Sequence, residues 1–159
     1  MDFWVPNLAK NSKNPHRWFD QGLQLYDSGQ VEEAVRCFRQ AYILAPEKPA
    51  FMSYFGLCRV VAESGAGREA LGLCEEAVRK DPYDAELRHN LGMAYLVSGR
   101  KRRAYEIFTE GSRLDPRNVT NRQELEFMGV RRPPVFTFLP RGHRVNRLAG
   151  RTLKRLRLR

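Results

Sequence analysis

No acidic residue occurs between Gly129 and Arg159, no two cysteines form a CxxC pair, and no apolar run approaches the roughly 20 residues of a membrane span. Each absence removes a class of function. Cysteines are few and odd in number, Cys37, Cys58 and Cys74, without metal-ligand spacing, which is the usage of a reducing compartment with inert, buried thiols. His16, His89 and His143 fall in three separate segments, and neither a Gly-rich phosphate loop nor a GxSxG turn is present. The paired acids Glu32-Glu33 and Glu75-Glu76 read as solvated helix surface with partners such as Arg36 and Lys80 four residues on. No enzyme, metal site or cofactor is therefore expected. The first residues, MDFWVPNLAKNSKNP, carry an early acid and no run long enough for a secretory leader, so the expectation is a cytoplasmic protein.

What is present in excess is positive charge, and it is not spread evenly. Of 28 Lys and Arg and 18 Asp and Glu, residues 1–128 hold 18 of each sign, so the whole net charge of +10 lies in residues 129–159. A neutral body with a basic tail is the resulting picture, and an argument for an anionic partner applies to the tail alone.

Self-similarity organises the body. Ser28-Gly29, Ser64-Gly65 and Ser98-Gly99 recur at intervals of 36 and 34 residues, and Ala34, Ala70 and Ala104, like Pro46, Pro82 and Pro116, keep the same intervals. Between these markers the pattern is helical: Val31, Ala34, Val35, Phe38, Ala41, Tyr42 and Ala45 follow i, i+3, i+4, i+7, as do Ala70, Leu71, Leu73, Cys74, Ala77 and Val78. The Ser-Gly pairs stand where a turn reverses the chain, and each proline follows a second helix that it stops. The unit is a helical hairpin, repeated three times.

These residues resemble the tetratricopeptide repeat, whose 34-residue pattern runs from a bulky residue through Leu-Gly and Tyr to Ala, Phe, Ala and Pro. The first unit supplies Trp18, Gly22, Ala34, Phe38, Ala41 and Pro46; the third supplies Leu91, Gly92, Tyr95, Ala104, Phe108 and Pro116, with Gly111 in place of the last alanine. The second supplies Ala70, Ala77 and Pro82, is two residues longer, and has Cys74 where the others have Phe. Two registers fit its first helix. The preferred one puts Cys58 at the small-residue position and the insertion around Pro49; the other puts Gly56 there, with two extra residues before the turn. Gly22, Gly92 and the alanines would sit at close helix approaches, with Trp18, Phe38, Tyr95 and Phe108 filling space between neighbouring hairpins.

The resemblance implies an all-α fold, a right-handed superhelical stack of three helix-turn-helix units with a capping helix and a basic C-terminal extension. The expected division is an extension over 1–14, a repeat domain over 15–128 with units of about 15–48, 49–84 and 85–118, a capping helix over 118–128, and a tail over 129–159. The cap would present Asn121, Arg122, Gln123, Glu124 and Glu126 to water. In the tail, Arg131-Arg132-Pro133-Pro134 precedes an apolar strip from Val135 to Leu139, and Leu148, Ala149, Leu153 and Leu156 oppose Arg144, Arg147, Arg151, Lys154 and Arg155 on a short amphipathic helix of about 144–158.

The implied function is a scaffold that binds a polypeptide in a concave groove lined by the first helices. Carried over by position, the lining residues are Phe19, Leu23 and Tyr26, then Met52, Phe55 and Arg59, then His89, Met93 and Leu96. The family's Lys, Asn and Arg clamp for a C-terminal carboxylate is not matched, since Phe19, Leu23 and Glu86 stand at its positions. Groove occupants are a partner protein or peptide, or the chain's own Val135 to Leu139 strip or Phe3-Trp4-Val5 folded back onto it. The basic helix offers a second class of function, attachment to an anionic membrane surface or to nucleic acid, the latter disfavoured by its lack of aromatic side chains.

Overall fold

A computed structural model describes residues 13–64, 67–117 and 119–129. The Phe3-Trp4-Val5 segment, the Val135 to Leu139 strip and the basic residues Arg144, Arg147, Arg151, Lys154 and Arg155 lie outside these. Among the described residues there are helices and no strands: α1 (Pro15–Asp27), α2 (Val31–Leu44), α3 (Pro49–Ala62), α4 (Arg68–Lys80), α5 (Ala85–Val97), α6 (Lys101–Leu114) and α7 (Val119–Phe127). Consecutive helices pack as the hairpins α1–α2, α3–α4 and α5–α6, and α7 packs on α6 and α5.

The helix starts follow local chemistry. Asn14 caps α1 by accepting from the His16 amide at 3.0 Å, and Asp84 caps α5 by accepting from Glu86 and Leu87 at 2.7 and 3.1 Å. Pro15 and Pro49 occupy first turns, where a missing N–H costs nothing. The first helices of the outer hairpins end in a left-handed glycine, Gly29 at φ 78° and Gly99 at φ 74°.

The packing is that of a stack whose hairpins cannot bury their apolar stripes alone. Ala34, Ala70 and Ala104 are completely buried, as are Ala41 and Ala77, with the buried Gly111 at the third equivalent position. In the outer hairpins the small residue of the first helix lies under an aromatic ring of the second: a Cβ on Gly22 would come within 2.7 Å of Phe38, and one on Gly92 would overlap the Phe108 ring. These rings thus pack within their own hairpin first, and Phe38 also reaches the next hairpin at Tyr54, 5.3 Å between centroids. Tyr95 ties α5 to α4 by donating to Glu75 Oε1 at 2.7 Å.

The middle hairpin corrects the preferred register. A Cβ on Gly56 would meet the Ala70 carbonyl oxygen at 2.7 Å and Cys74 Sγ at 2.8 Å, so Gly56, not Cys58, is the small residue at the helix approach. Gly22, Gly56 and Gly92 are each the eighth residue of their helices. The two additional residues lie between Gly56 and Ala70: α3 runs 14 residues where α1 and α5 run 13, and its left-handed terminal residue is Ser64 at φ 52°. Ser64 takes the place of Gly29 and Gly99, so the Ser-Gly marker of the middle unit is out of structural phase with the other two.

The cap needs a second correction. Asn121 faces inward and is fully buried, donating from Nδ2 to the Ala85 carbonyl at 2.9 Å and packing on Gly111, whereas Phe127 is 84% exposed. The absent Cβ at Gly111 leaves room for a short polar side chain, and the hydrogen bond offsets its desolvation. On the surface, Glu76 pairs with Arg79 rather than Lys80, which instead reaches the Pro46 carbonyl at 3.4 Å.

Candidate functional site

The helix period places Leu23, Tyr26 and Asp27 on one face of α1, Tyr54 and Leu57 on one face of α3, and Glu86, His89, Asn90 and Met93 on one face of α5. Packing brings these faces together with Thr120 of α7 around a cavity of about 270 Å³. The floor is apolar, with Leu57 buried and Leu23 and Met93 half-buried. The walls are polar and aromatic. Tyr54 donates to Glu86 Oε1 at 2.7 Å, a bond that spans α3 and α5 across the cavity. Burial, the hydrogen bond to Glu86 and that residue's charge all push the Tyr54 phenol up, so it stays a donor. Tyr26 is pushed up as well, chiefly by burial.

Two lining groups have unmet hydrogen-bonding capacity. Asn90 is 2% exposed and its Nδ2 is buried without a hydrogen-bond partner; His89 Nε2 is buried and equally unpartnered. Asn90 stands close enough to Tyr54 and His89 for a side-chain hydrogen-bonding influence, which lowers the Tyr54 pKa and raises that of His89, but the geometry at its amide nitrogen falls short of a formed bond. Native interiors seldom leave such donors unsatisfied, because each costs about 1–3 kcal/mol. Burial lowers the His89 pKa below its usual value, against the opposing pull of Glu124, Asn90 and Glu86, so the imidazole adds no charge at neutral pH. The formal charge of the lining is that of Asp27 and Glu86; no Lys or Arg contributes.

Of the residues expected to line the groove, the structure brings together Leu23, Tyr26, His89 and Met93. Phe19 instead joins an aromatic cluster with Phe38, Phe51 and Tyr54, at centroid distances of 5.5, 4.8 and 5.2 Å. Leu96 is half-buried away from the cavity. The three residues assigned to α3 are corrected as a group. Met52 is buried against Ala77 and Leu87, Phe55 is buried and stacks on Tyr42 at 5.6 Å, and the Arg59 guanidinium lies 5.7 Å from the Phe55 centroid while pairing with Glu63 at 2.9 Å. The reason is the register: displacing the small residue by two positions turns the selected face by about 200°. Asp27, Tyr54, Leu57, Asn90 and Thr120 lie outside the expected lining, and Glu86, noted there only as a mismatch to the carboxylate clamp, joins them. Tyr54 and Asn90 each stand two residues before the small glycine of their helix, so the correct choice of Gly56 aligns both.

Reactive chemistry is scarce. Burial raises the Cys37 thiol to about 11 and the Cys58 and Cys74 thiols to about 12, the opposite of nucleophile activation. Among the described residues no group of three His, Cys, Asp or Glu is arranged to hold a metal ion, and no helix is long and apolar enough to cross a membrane.

Comparison with known proteins agrees with this geometry. Two sequence models described as the tetratricopeptide repeat match, one over residues 15–48 and one over 61–125. The TPR repeat-containing thioredoxin TTL4 of Arabidopsis thaliana is 33% identical over 106 residues, covering 66% of this chain and 15% of the relative; the inactive TPR repeat-containing thioredoxin TTL3 of the same plant is 30% identical over 122 residues, covering 75% and 17%. The chain thus spans about a sixth of the length of these relatives. Among solved structures, the first TPR of Spaghetti (RPAP3), bound to the HSP90 peptide SRMEEVD, is similar with a TM-score of 0.60 at 18% identity, covering 74% of this chain and 92% of that one. YrrB, titled a TPR protein with an unusual peptide-binding site, is similar with a TM-score of 0.61 at 19% identity, covering 75% and 60%.

Proposed function

The chain belongs to the tetratricopeptide-repeat family, and we propose from that premise that it is a non-catalytic adaptor holding a segment of another polypeptide against the face formed by α1, α3, α5 and the start of α7. The observation that carries this reading is Asn90, 2% exposed at the wall of an open cavity, whose amide nitrogen is within side-chain hydrogen-bonding range of Tyr54 without a bond of full geometry. A main-chain carbonyl of a bound segment would accept from that nitrogen, and an apolar side chain of the same segment would cover Leu23, Leu57 and Met93. The RPAP3 domain of the same fold was solved with a peptide ending in carboxylates. Asp27 and Glu86 here oppose such an end, so the shared feature would be the use of the face and not the ligand.

Peptides selected by display on the full chain provide the test, with binding read by fluorescence anisotropy. Removing a charge-free hydrogen bond from a desolvated site weakens binding by about tenfold, which is the expected effect of Asn90→Ala, while Leu23→Glu should abolish binding. Arg79→Glu, on an exposed surface elsewhere, should leave affinity unchanged. Selected peptides that ignore both groove substitutions, on proteins with unaltered helical circular dichroism, would refute the reading.

A second reading rests on the charge partition, since residues 129–159 hold the net +10. In it the tail attaches the repeats to an anionic membrane surface or nucleic acid. Reversal of Arg144, Arg147, Arg151, Lys154 and Arg155 to Glu would then eliminate liposome flotation or gel retardation and leave groove binding intact.

A further inference from the structure

Within the proposed role as a peptide-binding adaptor, on which this inference rests, we infer that the groove selects a polypeptide segment carrying a Lys or Arg side chain next to an apolar one, seated between Asp27 and Glu86 and against the Tyr26 and Tyr54 rings. The lining supplies two carboxylates and no cationic side chain. Glu86 Oε1 is engaged by the Tyr54 hydroxyl at 2.7 Å, and this bond holds the carboxylate at the cavity wall. A carboxylate anchored in this way is pre-oriented for a guanidinium or ammonium, at less entropic cost than a freely rotating one.

Aromatic faces strengthen the case. Tyr26 and Tyr54 both line the cavity, and a cation near a phenol ring is favoured, more so as the site is desolvated. An anionic side chain entering the same space would meet two like charges with no counterion from the protein, a repulsion that is itself a means of discrimination. His89 adds no positive charge at neutral pH because burial lowers its pKa. The buried Asn90 nitrogen lines the same cavity beside Tyr54, where it would donate to a main-chain carbonyl of the segment. Charge complementarity therefore specifies the occupant: a partner segment that is basic and partly apolar, with no free terminal carboxylate required.

The experiment uses the full chain and a display library of peptides, with hits resynthesised as C-terminal amides so that no terminal carboxylate contributes. Hits are first sorted by whether Asn90→Ala weakens them, which separates groove binders from peptides held by the basic tail. The groove binders should be enriched in Lys or Arg beside Leu, Met, Phe or Tyr. Their affinity should fall severalfold when both carboxylates are neutralised by Asp27→Asn with Glu86→Gln, the scale of two solvent-exposed ion pairs, and by less in either single variant. Both positions are exposed, so folding should survive the changes. The Asp27→Lys and Glu86→Arg pair should invert the selection toward acidic peptides. Asn90-dependent peptides that are acidic, or that are indifferent to the double neutralisation, would overturn the charge inference and leave the adaptor reading standing. A complete lack of Asn90-dependent peptides would remove the adaptor reading itself. A dimer in sedimentation equilibrium that Glu86→Arg dissociates would assign the groove to a second copy of the chain and overturn the inference as well.

Discussion

The middle hairpin and its two neighbours solve the same packing problem in different ways. In the outer pairs a phenyl ring separates the helices: Phe38 covers Gly22, and Phe108 covers Gly92. In the middle pair Cys74 replaces the ring, and α3 and α4 close up until the backbone of one bounds the small residue of the other, with the Ala70 carbonyl 2.7 Å from where a Gly56 Cβ would lie. The exchange of a ring for a thiol thus goes with a closer approach at Gly56, and the Cys74 thiol reaches the Ser53 carbonyl at 3.4 Å. The small residue has a ring as its limit in one case and a rigid backbone in the other. That difference dictates which substitutions each hairpin tolerates.

The largest effect should come from removing the ring where the spacing depends on it. Phe108 is fully buried, and Phe108→Ala would leave an unfilled space over Gly92 worth about 3–5 kcal/mol. Cys74→Ala in the already closed middle pair should cost far less. Chemical denaturation of the two variants compares them, and equal losses would mean that the middle hairpin is no tighter than the others.

Restoring the family's ring to the middle pair should harm it. Cys74→Phe inserts a side chain between helices already in van der Waals contact, with an expected loss of about 3 kcal/mol, the upper end for overpacking. A neutral or stabilising result would show that α3 and α4 part readily, and that the close approach is a consequence of Cys74 and not a constraint of the stack.

The glycine comparison is finer. Gly22→Ala and Gly56→Ala both bring a Cβ to 2.7 Å of a neighbour, but the neighbour is the Phe38 ring in one and the Ala70 backbone oxygen in the other. A ring edge can tilt; a helix backbone moves only with the helix. Gly56→Ala should therefore cost about 2 kcal/mol net of the roughly 1 kcal/mol that alanine gains in a helix interior, and Gly22→Ala distinctly less. Thermal unfolding of the pair measures the difference, and the reverse ranking would contradict the backbone argument.

These same residues show what the sequence made legible. Recurrent Ala, Pro and Gly at fixed intervals fixed the helical hairpins and their number, because each recurs at a position where sterics leave few alternatives. The Gly and Phe of the first and third units match the family pattern without a gap, and the inward positions that the resemblance implies there include Leu23, Tyr26, His89 and Met93, which line the cavity. The middle unit lacked the Phe, and its Ser64-Gly65 imitated the marker of the other turns while the chain turned one residue earlier. Local identity and structural phase diverged there, so the face of α3 was assigned wrongly. Asn121 went unrecognised for another reason: its inward position depends on Gly111, in a different helix, and on a backbone acceptor at Ala85. Neither has a signature within α7 itself.

The smallest expected effect tests the turn. Ser64 occupies the left-handed region at φ 52°, where Gly29 and Gly99 serve in the outer hairpins. A Cβ there meets the chain's own carbonyl at a cost of about 1 kcal/mol, which glycine avoids. Glycine also makes the unfolded chain more flexible, and that partly offsets the gain. Ser64→Gly should accordingly stabilise the protein by about 0.5 kcal/mol, raising the midpoint of thermal unfolding by a few degrees at most, whereas Gly29→Ser and Gly99→Ser should each lower it. If Ser64→Gly destabilises instead, the serine hydroxyl must be supporting the lengthened turn, and the two extra residues between Gly56 and Ala70 would be a stabilised feature of the middle hairpin and not a tolerated insertion.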